Sequence, residues 1–279
     1  MNLELTAIYC ICDDYLKESG IIGWPNEKMK GSEVMTTLIT AAQFFAGNIK
    51  KARSFLKEHG YIPDMLSHHR LIERIHAIPV RIWEGLLGFI QKYASVWMLT
   101  PYFVVDSFPI SVCQNLRIMR SRLLQGKEYH GYNANKQCYF YGFKCLLVVR
   151  ESGLPVQLSI APGSKHDLAI LRQTHLKRLP EKSTLVGDAA FLSEPAQQDL
   201  SQKGIHLIAD RRRNSKKPLS LDEWKILTGI RKIVETSISG IVSLMPRWIH
   251  AVTSQGFILK MIGFVLAFSF TKLGLLSRG

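Results

Sequence analysis

The spacing of apolar residues changes near residue 100, and this change restricts the folds that the chain can adopt. Beyond that point, short apolar runs typical of strands alternate with helical stretches. Five such runs are predicted as strands: 102–108, 137–150, 154–160, 183–188 and 204–210. The second and third are joined by the Gly-containing turn 151–153, which predicts a hairpin. Three strands, a helix, a strand, a helix, a strand and a long last helix indicate an α/β domain with a mixed five-stranded sheet and flanking helices.

The first part of the chain has helical spacing throughout. Predicted helices cover 3–17, 34–46, 49–59, 67–78 and 80–94, with glycine or proline at several of the breaks. We therefore predict an all-helical N-terminal domain, residues 1–95, followed by the α/β domain, residues 96–279. Lys50, Lys51 and Arg53 fall on one helix, which suits DNA contact in a helix-turn-helix-like bundle. A basic face exposed to water is the alternative.

The chain is strongly basic, with 36 Lys and Arg against 22 Asp and Glu, a formal net charge of +14. Such an excess favours a polyanionic partner, with nucleic acid as the first candidate. A merely soluble basic protein is the alternative, and a membrane surface is a weaker third. The most basic segment is RRRNSKKPLS; its predicted DNA-binding residues are Arg211, Arg212, Arg213, Lys216 and Lys217. A solvated linker is the alternative for this segment.

Two features bear on the compartment. The five cysteines form no CxxC pair, and the N-terminus lacks the features of a signal peptide, so we expect reduced thiols in a cytoplasmic protein. The apolar segment Met261–Phe270 is about half as long as the ~20 residues of a membrane span. A buried helix, and no membrane association, is the prediction for it.

Three carboxylates occupy positions where burial is costly without a compensating charge. Asp106 is predicted at the end of the first strand and Asp188 at the end of the fourth, and Glu235 lies on the polar stripe of the last long helix. The first and fourth strands of such a sheet can be neighbours, so their carboxyl ends converge at one edge, and the helix can add Glu235. Taken singly, Asp106 could begin a turn, Asp188 could cap a helix and Glu235 could pair with Arg231.

A carboxylate-only donor set predicts a particular metal chemistry. Oxygen ligands without imidazole or thiolate suit Mg²⁺ or Mn²⁺ rather than zinc, and two such ions would serve an in-line phosphoryl displacement. Arg231 could orient a phosphate or the Glu235 carboxylate. His166 is a candidate accessory residue or a plain helix cap, and Ser164 or Asp167 is the predicted cap of the helix after the third strand.

Several motifs occur in the order found in one family of transposases. They are VVDSFPISVCQNLRI, YFYGFKCLLVV, PGSKHD, GDAAF, RKIVETSISGI and IHAVTSQGFILKMIGFVLAFS. With them the chain resembles IS982-family insertion-sequence transposases over nearly its whole length. The resemblance implies an RNase H-like catalytic domain whose DDE residues are Asp106, Asp188 and Glu235, and Arg231 matches a basic residue four positions before the catalytic glutamate.

The resemblance also implies a function. Such an enzyme cuts at the terminal inverted repeats of its element and joins the freed 3′ ends to target DNA. It implies a homodimer in the synaptic complex, a bacterial, nucleoid-associated location and no small-molecule substrate. Two alternatives remain from the sequence: a nuclease that hydrolyses DNA without joining it, and an inactive DNA-binding relative that acts as a repressor.

Overall fold

The computed structural model describes residues 2–21, 23, 27–94, 101–134, 136–174, 176, 179–211 and 218–275. The chain divides into unit 1, residues 1–96 with 240–279, and unit 2, residues 97–239. The helices are α1 (Asn2–Glu18), α2 (Gly31–Phe44), α3 (Ile49–Glu58), α4 (His68–Ala77), α5 (Val80–Ala94), α6 (Asp167–Gln173), α7 (Glu194–Gln202), α8 (Leu221–Leu244) and α9 (Ser254–Lys272). The strands are β1 (Tyr102–Ser111), β2 (His130–Asn133), β3 (Cys138–Arg150), β4 (Pro155–Pro162), β5 (Ser183–Gly187) and β6 (Ile205–Ala209).

Unit 1 is helical. Its first five helices, α1 to α5, begin within three residues of the predicted positions, and α9 begins at Ser254, before the predicted buried segment 261–270. Polar side chains fix three of these starts by accepting a backbone N–H of the first turn: Asn48 for α3, Ser67 for α4 and Thr253 for α9. By length and composition α9 could cross a membrane, but about two thirds of its apolar window is buried. The prediction of a buried helix over 261–270 is confirmed by this burial.

The division into units differs from the predicted domains at the C-terminal end. We predicted that residues 96–279 form one domain, whereas residues 240–279 group with the N-terminal helices. The physical reason is the packing of α9, which is apolar on nearly every side and contacts α2, α4 and α5. A helix of this kind needs neighbours all around it, and the helices of unit 1 supply them.

Unit 2 is built on a mixed sheet whose main path is β4-β3-β1-β5-β6. The first three of these strands are antiparallel, and β1, β5 and β6 run parallel to one another. The fold class, a mixed α/β domain with flanking helices, is thereby confirmed, and the strand order agrees with an RNase H-like arrangement. The turn between β3 and β4 uses Gly153 at φ +80°, a conformation that glycine adopts without strain.

Two predicted strand features are wrong. Within the described residues the sheet has six strands rather than five, because β2 pairs with the first residues of β3. The sequence of β2, HGYN, contains no apolar run from which a strand could be predicted. Strand β1 does not end at Asp106 but continues to Ser111, because β3 still pairs with it there. Pro109 is tolerated in this extension because β1 pairs with β5 only as far as Val104.

Helices cover both faces of the sheet. On one face, Phe103 and Val105 of β1 belong to a buried cluster with residues of α6 and α7. On the other face, Val186 and Ile208 pack with Leu227 of α8. Successive side chains of a strand point to opposite faces of the sheet, so Phe103 and Val105 of β1 face α6 and α7. The first turns of α8 lie over the opposite face.

Candidate active site

The two predicted aspartates lie on neighbouring strands at the same level of the sheet. In the parallel pair β1–β5 the last matched residues are Val104 and Val186. Asp106 and Asp188 each stand two residues further along, so the structure brings them together as the sequence predicts. Ser237 Oγ on α8 donates to Gly153 O at 2.9 Å, which ties the helix turn that carries Glu235 to the hairpin of β3 and β4.

Asp106 is half-buried, and Ser107 N–H donates to its Oδ1 at 2.7 Å. Burial raises the pKa of Asp106 to about 6, and the negative charges of Asp188, Asp167 and Glu235 act in the same direction. Asp188, Asp167 and Glu235 are thus close enough to Asp106 to act on its charge. The carboxylate is therefore in a setting where a cation would stabilise its charged form.

Asp188 caps the short 3-10 helix Ala189–Phe191, since its Oδ1 accepts Ala190 N–H at 2.9 Å. Burial raises the pKa of Asp188, and the charges of Asp167 and Asp210 raise it further, while Arg231 opposes them. Asp188 therefore has the capping role that the sequence left as an alternative, and it also lies near the carboxylates of Asp167 and Asp210.

Arg231 has a different partner from the one its spacing suggested. Its Nη1 donates to Asp210 Oδ2 at 2.8 Å, and both side chains are about two fifths exposed. The expected partner, Glu235, is exposed on the next turn of α8. Asp210 lies directly after β6. Arg231 therefore pairs with a residue from a distant segment, and not with Glu235, the partner that the spacing along α8 had left open.

Asp167, which with His166 was a candidate to reach the site from the start of its helix, and Asp210, which the sequence reasoning did not assign, complete the cluster. Asp167 accepts Ser107 Oγ at 2.7 Å and forms an ion pair with Lys144 Nζ at 3.1 Å. A signal existed for Asp210, because the run GIHLIAD places an aspartate after a strand just as at Asp106 and Asp188. Asp167 had only its nearness to His166 to indicate it.

Of the residues that the sequence offered as caps of α6, His166 is the N-cap, without a side-chain hydrogen bond from the helix. Ser164 and Asp167 do not occupy that position. Asp167 is already inside the first turn, with its carboxylate engaged by Ser107 and Lys144. His166 is exposed, and its accessory role stays a prediction.

The donor set fits a hard divalent cation by its chemistry. Burial raises the pKa of Asp106, and the charges of Asp188, Asp167 and Glu235 raise it further; a bound dication would oppose this effect. As placed, no three His, Cys, Asp or Glu side chains within the described ranges form a ready-made metal site.

The predicted DNA-binding residues differ in their surroundings. Lys50 and Lys51 are exposed in the first turn of α3, whereas Arg53 is half-buried and its Nε donates to Leu66 O at 2.6 Å. Arg211 is half-buried. Hydrogen bonds from Ser220 lower the pKa of Glu223, and the charge of Arg211 lowers it further. Arg212, Arg213, Lys216 and Lys217 lie outside the described residues.

Comparison with known proteins gives one family. A family model described as a transposase DDE domain matches residues 99–246, more than half of the chain. Two solved structures are similar: a piggyBac transposase synaptic complex with hairpin DNA (12% identity, 98% of this chain and 75% of that chain, TM-score 0.47) and a Mos1 mariner paired end complex with Mn (13% identity, 85% and 88%, TM-score 0.22). No curated protein matches the chain significantly.

Proposed function

The chain belongs to the family of DDE-domain transposases, and on that premise we propose that Asp106, Asp188 and Glu235 are the carboxylates at which it cuts and joins DNA. The observation that carries the proposal is the register of β1 and β5, which sets Asp106 and Asp188 side by side. The influence of Glu235 on the pKa of Asp106 adds the third carboxylate to the same site. Within this family, the narrower assignment to the IS982 group rests on the sequence motifs.

DDE transposases use divalent metal ions, and we assign two Mg²⁺ or Mn²⁺ ions to Asp106, Asp188 and Glu235. When bound, such ions stabilise the charge that develops on the oxygens of a phosphodiester under attack. Ser107 N–H holds Asp106 in one orientation, and Asp210 holds the Arg231 guanidinium near Asp188. Arg231 can there donate to a phosphate oxygen in the bidentate manner that a guanidinium favours.

The reaction needs no covalent bond between protein and DNA. Water first attacks a phosphodiester at the element end and leaves a free 3′-hydroxyl. That hydroxyl then attacks a phosphodiester of the target, and the bond that forms replaces the one that breaks. Since both steps are in-line displacements at phosphorus, one carboxylate cluster serves both, and no nucleophilic serine or tyrosine is required.

The rest of the chain supplies DNA contacts. We assign binding of double-stranded DNA, at the terminal inverted repeats, to Lys50, Lys51 and Arg53 of the helical N-terminal region and to the basic segment 211–217. The formal net charge of +14 supports a polyanionic substrate of this kind. A homodimer in the synaptic complex and action on nucleoid DNA in the bacterial cytoplasm complete the proposal.

The test uses the full chain and a supercoiled plasmid that carries the gene with its flanking genomic DNA. We expect Asp106→Asn, Asp188→Asn and Glu235→Gln each to lower Mg²⁺-dependent cleavage by at least about a thousandfold, while DNA binding is retained. Asp199→Asn is the matched control, because Asp199 is an exposed carboxylate paired with Lys203. Cleavage is read on gels, and strand transfer by sequencing the junctions.

Each alternative has its own outcome in this experiment. Cleavage without joined products would identify a nuclease, and salt-sensitive binding without metal-dependent cleavage would identify a repressor. Undiminished cutting by any one of the three carboxylate variants would refute the assignment of that residue.

A further inference from the structure

Unit 1 contains a cavity of about 710 Å³ at the point where helices α3, α4 and α9 begin. Asn48, Lys50 and Lys51 line it from α3, His68 from α4, and Thr253 from the start of α9. A volume of this size is in the range of pockets that hold small organic ligands, roughly 300 to 1,000 Å³. All of its lining residues belong to unit 1.

The walls of this cavity concentrate positive charge. Three lysines and three histidines line it, and none of the described lining residues is acidic. Burial lowers the pKa of His68, and the nearby charges of Arg53, Lys50 and Lys260 lower it further. Burial also lowers the pKa of Lys260. Cations close to a partly buried histidine disfavour its protonation, and an anion bound among them would oppose this effect.

The helix starts add to the same preference. The first turns of α3, α4 and α9 contain no acidic residue. The N-terminus of a helix carries the positive end of its dipole and backbone N–H groups without partners inside the helix. Their effect reinforces that of the lysines, which supply the full charges.

The interior of the cavity is apolar. Ile72 and Ile75 of α4, together with Leu259 and Phe264 of α9, form part of the lining. An inorganic anion would leave these side chains without a partner. The cavity therefore matches a ligand that has both a negative charge and a flat or apolar body.

We propose that this cavity binds a nucleoside 5′-phosphate unit, with the phosphate at Lys50, Lys51 and Lys260 and the base against the apolar side chains of α4 and α9. The choice of a nucleotide rests on the proposed function, because DNA is the anion that a transposase handles. An unpaired nucleotide of a DNA end and a free nucleotide share this chemistry, and the measurement separates them.

The experiment measures binding to full-length protein in EDTA, so that cleavage plays no part. The probes are a blunt duplex, the same duplex with a three-nucleotide overhang containing 2-aminopurine, and free dAMP as a competitor. We expect the overhang to strengthen binding about fivefold or more, the low end of what one stacked base contributes, and 2-aminopurine fluorescence to change on binding. Competition by dAMP at an affinity similar to that of the overhang would identify a free nucleotide as the ligand.

Three variants locate the effect. Lys260→Met removes a cavity charge, and Ala251→Trp fills the lining without changing any charge. Both should abolish the preference for the overhang. Lys57→Met is the matched control, because Lys57 is exposed on α3 and does not line the cavity. Circular dichroism melting confirms that each variant is folded.

The proposal is overturned if wild-type protein binds the blunt and overhang duplexes equally and does not bind dAMP. It is also overturned if folded Ala251→Trp keeps the full preference for the overhang. These results are independent of catalysis: a wild-type protein that fails to cut DNA but keeps an overhang preference sensitive to Ala251→Trp refutes the proposed function alone.

Discussion

At the scale of single residues, Asp106 combines the charge that the proposed site requires with an unfavourable setting. Burial and neighbouring carboxylates raise its pKa to about 6 in the folded protein, compared with about 3.9 in an unfolded chain. The folded state therefore binds the proton more tightly than the unfolded state does. Without a metal ion, the stability that this group contributes is fully present below about pH 4 and is lost as the pH rises through about 6.

This linkage predicts that Asp106→Asn stabilises the metal-free protein at high pH. The quantity to compare is the free energy of unfolding of the variant minus that of the wild type, measured in EDTA. This difference should be about 1 to 2 kcal/mol larger at pH 8 than at pH 4. Urea unfolding at the two pH values measures the difference, and Asp199→Asn should show no comparable change. A gap between variant and wild type that does not vary with pH would show that Asp106 is ionised without cost in the folded state.

The residues that the sequence identified and those it missed differ in a physical way. Asp106 and Asp188 could be predicted because a carboxylate beside an apolar run stands out locally. The same pattern at Asp210 was present but unused. The partner of Arg231 could not be obtained from spacing along α8, because Asp210 reaches it from another segment through the packing of α8 on the sheet. Metal geometry likewise depends on rotamers that no spacing specifies.

At the scale of elements, the end of β5 depends on a glycine that lets the next turn pack closely. A Cβ atom at Gly187 would lie 2.9 Å from Phe191 Cδ2 and 3.1 Å from Val105 Cγ1. Phe191 is fully buried, so it has little room to move away. The short helix that follows Asp188 is thereby held against the strand, and the position of the carboxylate depends on that contact.

We expect Gly187→Ala to destabilise the protein by about 1 to 3 kcal/mol and to lower cleavage well beyond the fraction unfolded. The control is Gly229→Ala, since a Cβ there meets nothing within 4 Å and an exposed helical alanine should stabilise by about 0.5 to 1 kcal/mol. Urea unfolding and plasmid cleavage are measured on both. Wild-type stability and cleavage in Gly187→Ala would contradict the argument that this contact positions Asp188.

Element boundaries followed from local signals, and the exceptions were elements with weak signals. The five N-terminal helices have a clear apolar period, and each was predicted within about three residues of its observed ends. By contrast, α6 ends at Gln173 although the helical pattern extends to residue 179. Strand β2 exists through its pairing with β3, which begins only a few residues further along the chain, and the sequence HGYN has no apolar run that would predict a strand.

At the scale of the whole molecule, the division of the chain into units depends on contacts between segments that are far apart in the sequence. A boundary near residue 95 could be predicted because the periodicity changes there, and the two units divide at residue 96. The return of residues 240–279 to the N-terminal helices could not, because an apolar helix such as α9 fits either group by composition. Which group it joins is determined by the shape of the surfaces available to it.

The net charge is also a property of the whole chain, and it predicts how DNA binding responds to salt. Each phosphate neutralised by Lys or Arg releases counterions, so the logarithm of the binding constant should fall linearly with the logarithm of salt concentration, by about 0.9 per contact. Replacing Arg212 and Arg213 together by Ser should make this slope less steep by about 1.8, if both contact phosphate. Fluorescence anisotropy with a labelled duplex in EDTA gives the slopes.

The matched control for the slope is Lys203→Ser, because Lys203 is already paired with Asp199 at 3.0 Å. Its slope should equal that of the wild type, since a lysine engaged with a carboxylate releases few counterions from DNA. A double arginine variant whose slope is also unchanged would remove the basic segment 211–217 from the DNA interface. DNA contact would then be assigned to the lysines of α3, whose substitution should reduce the slope instead.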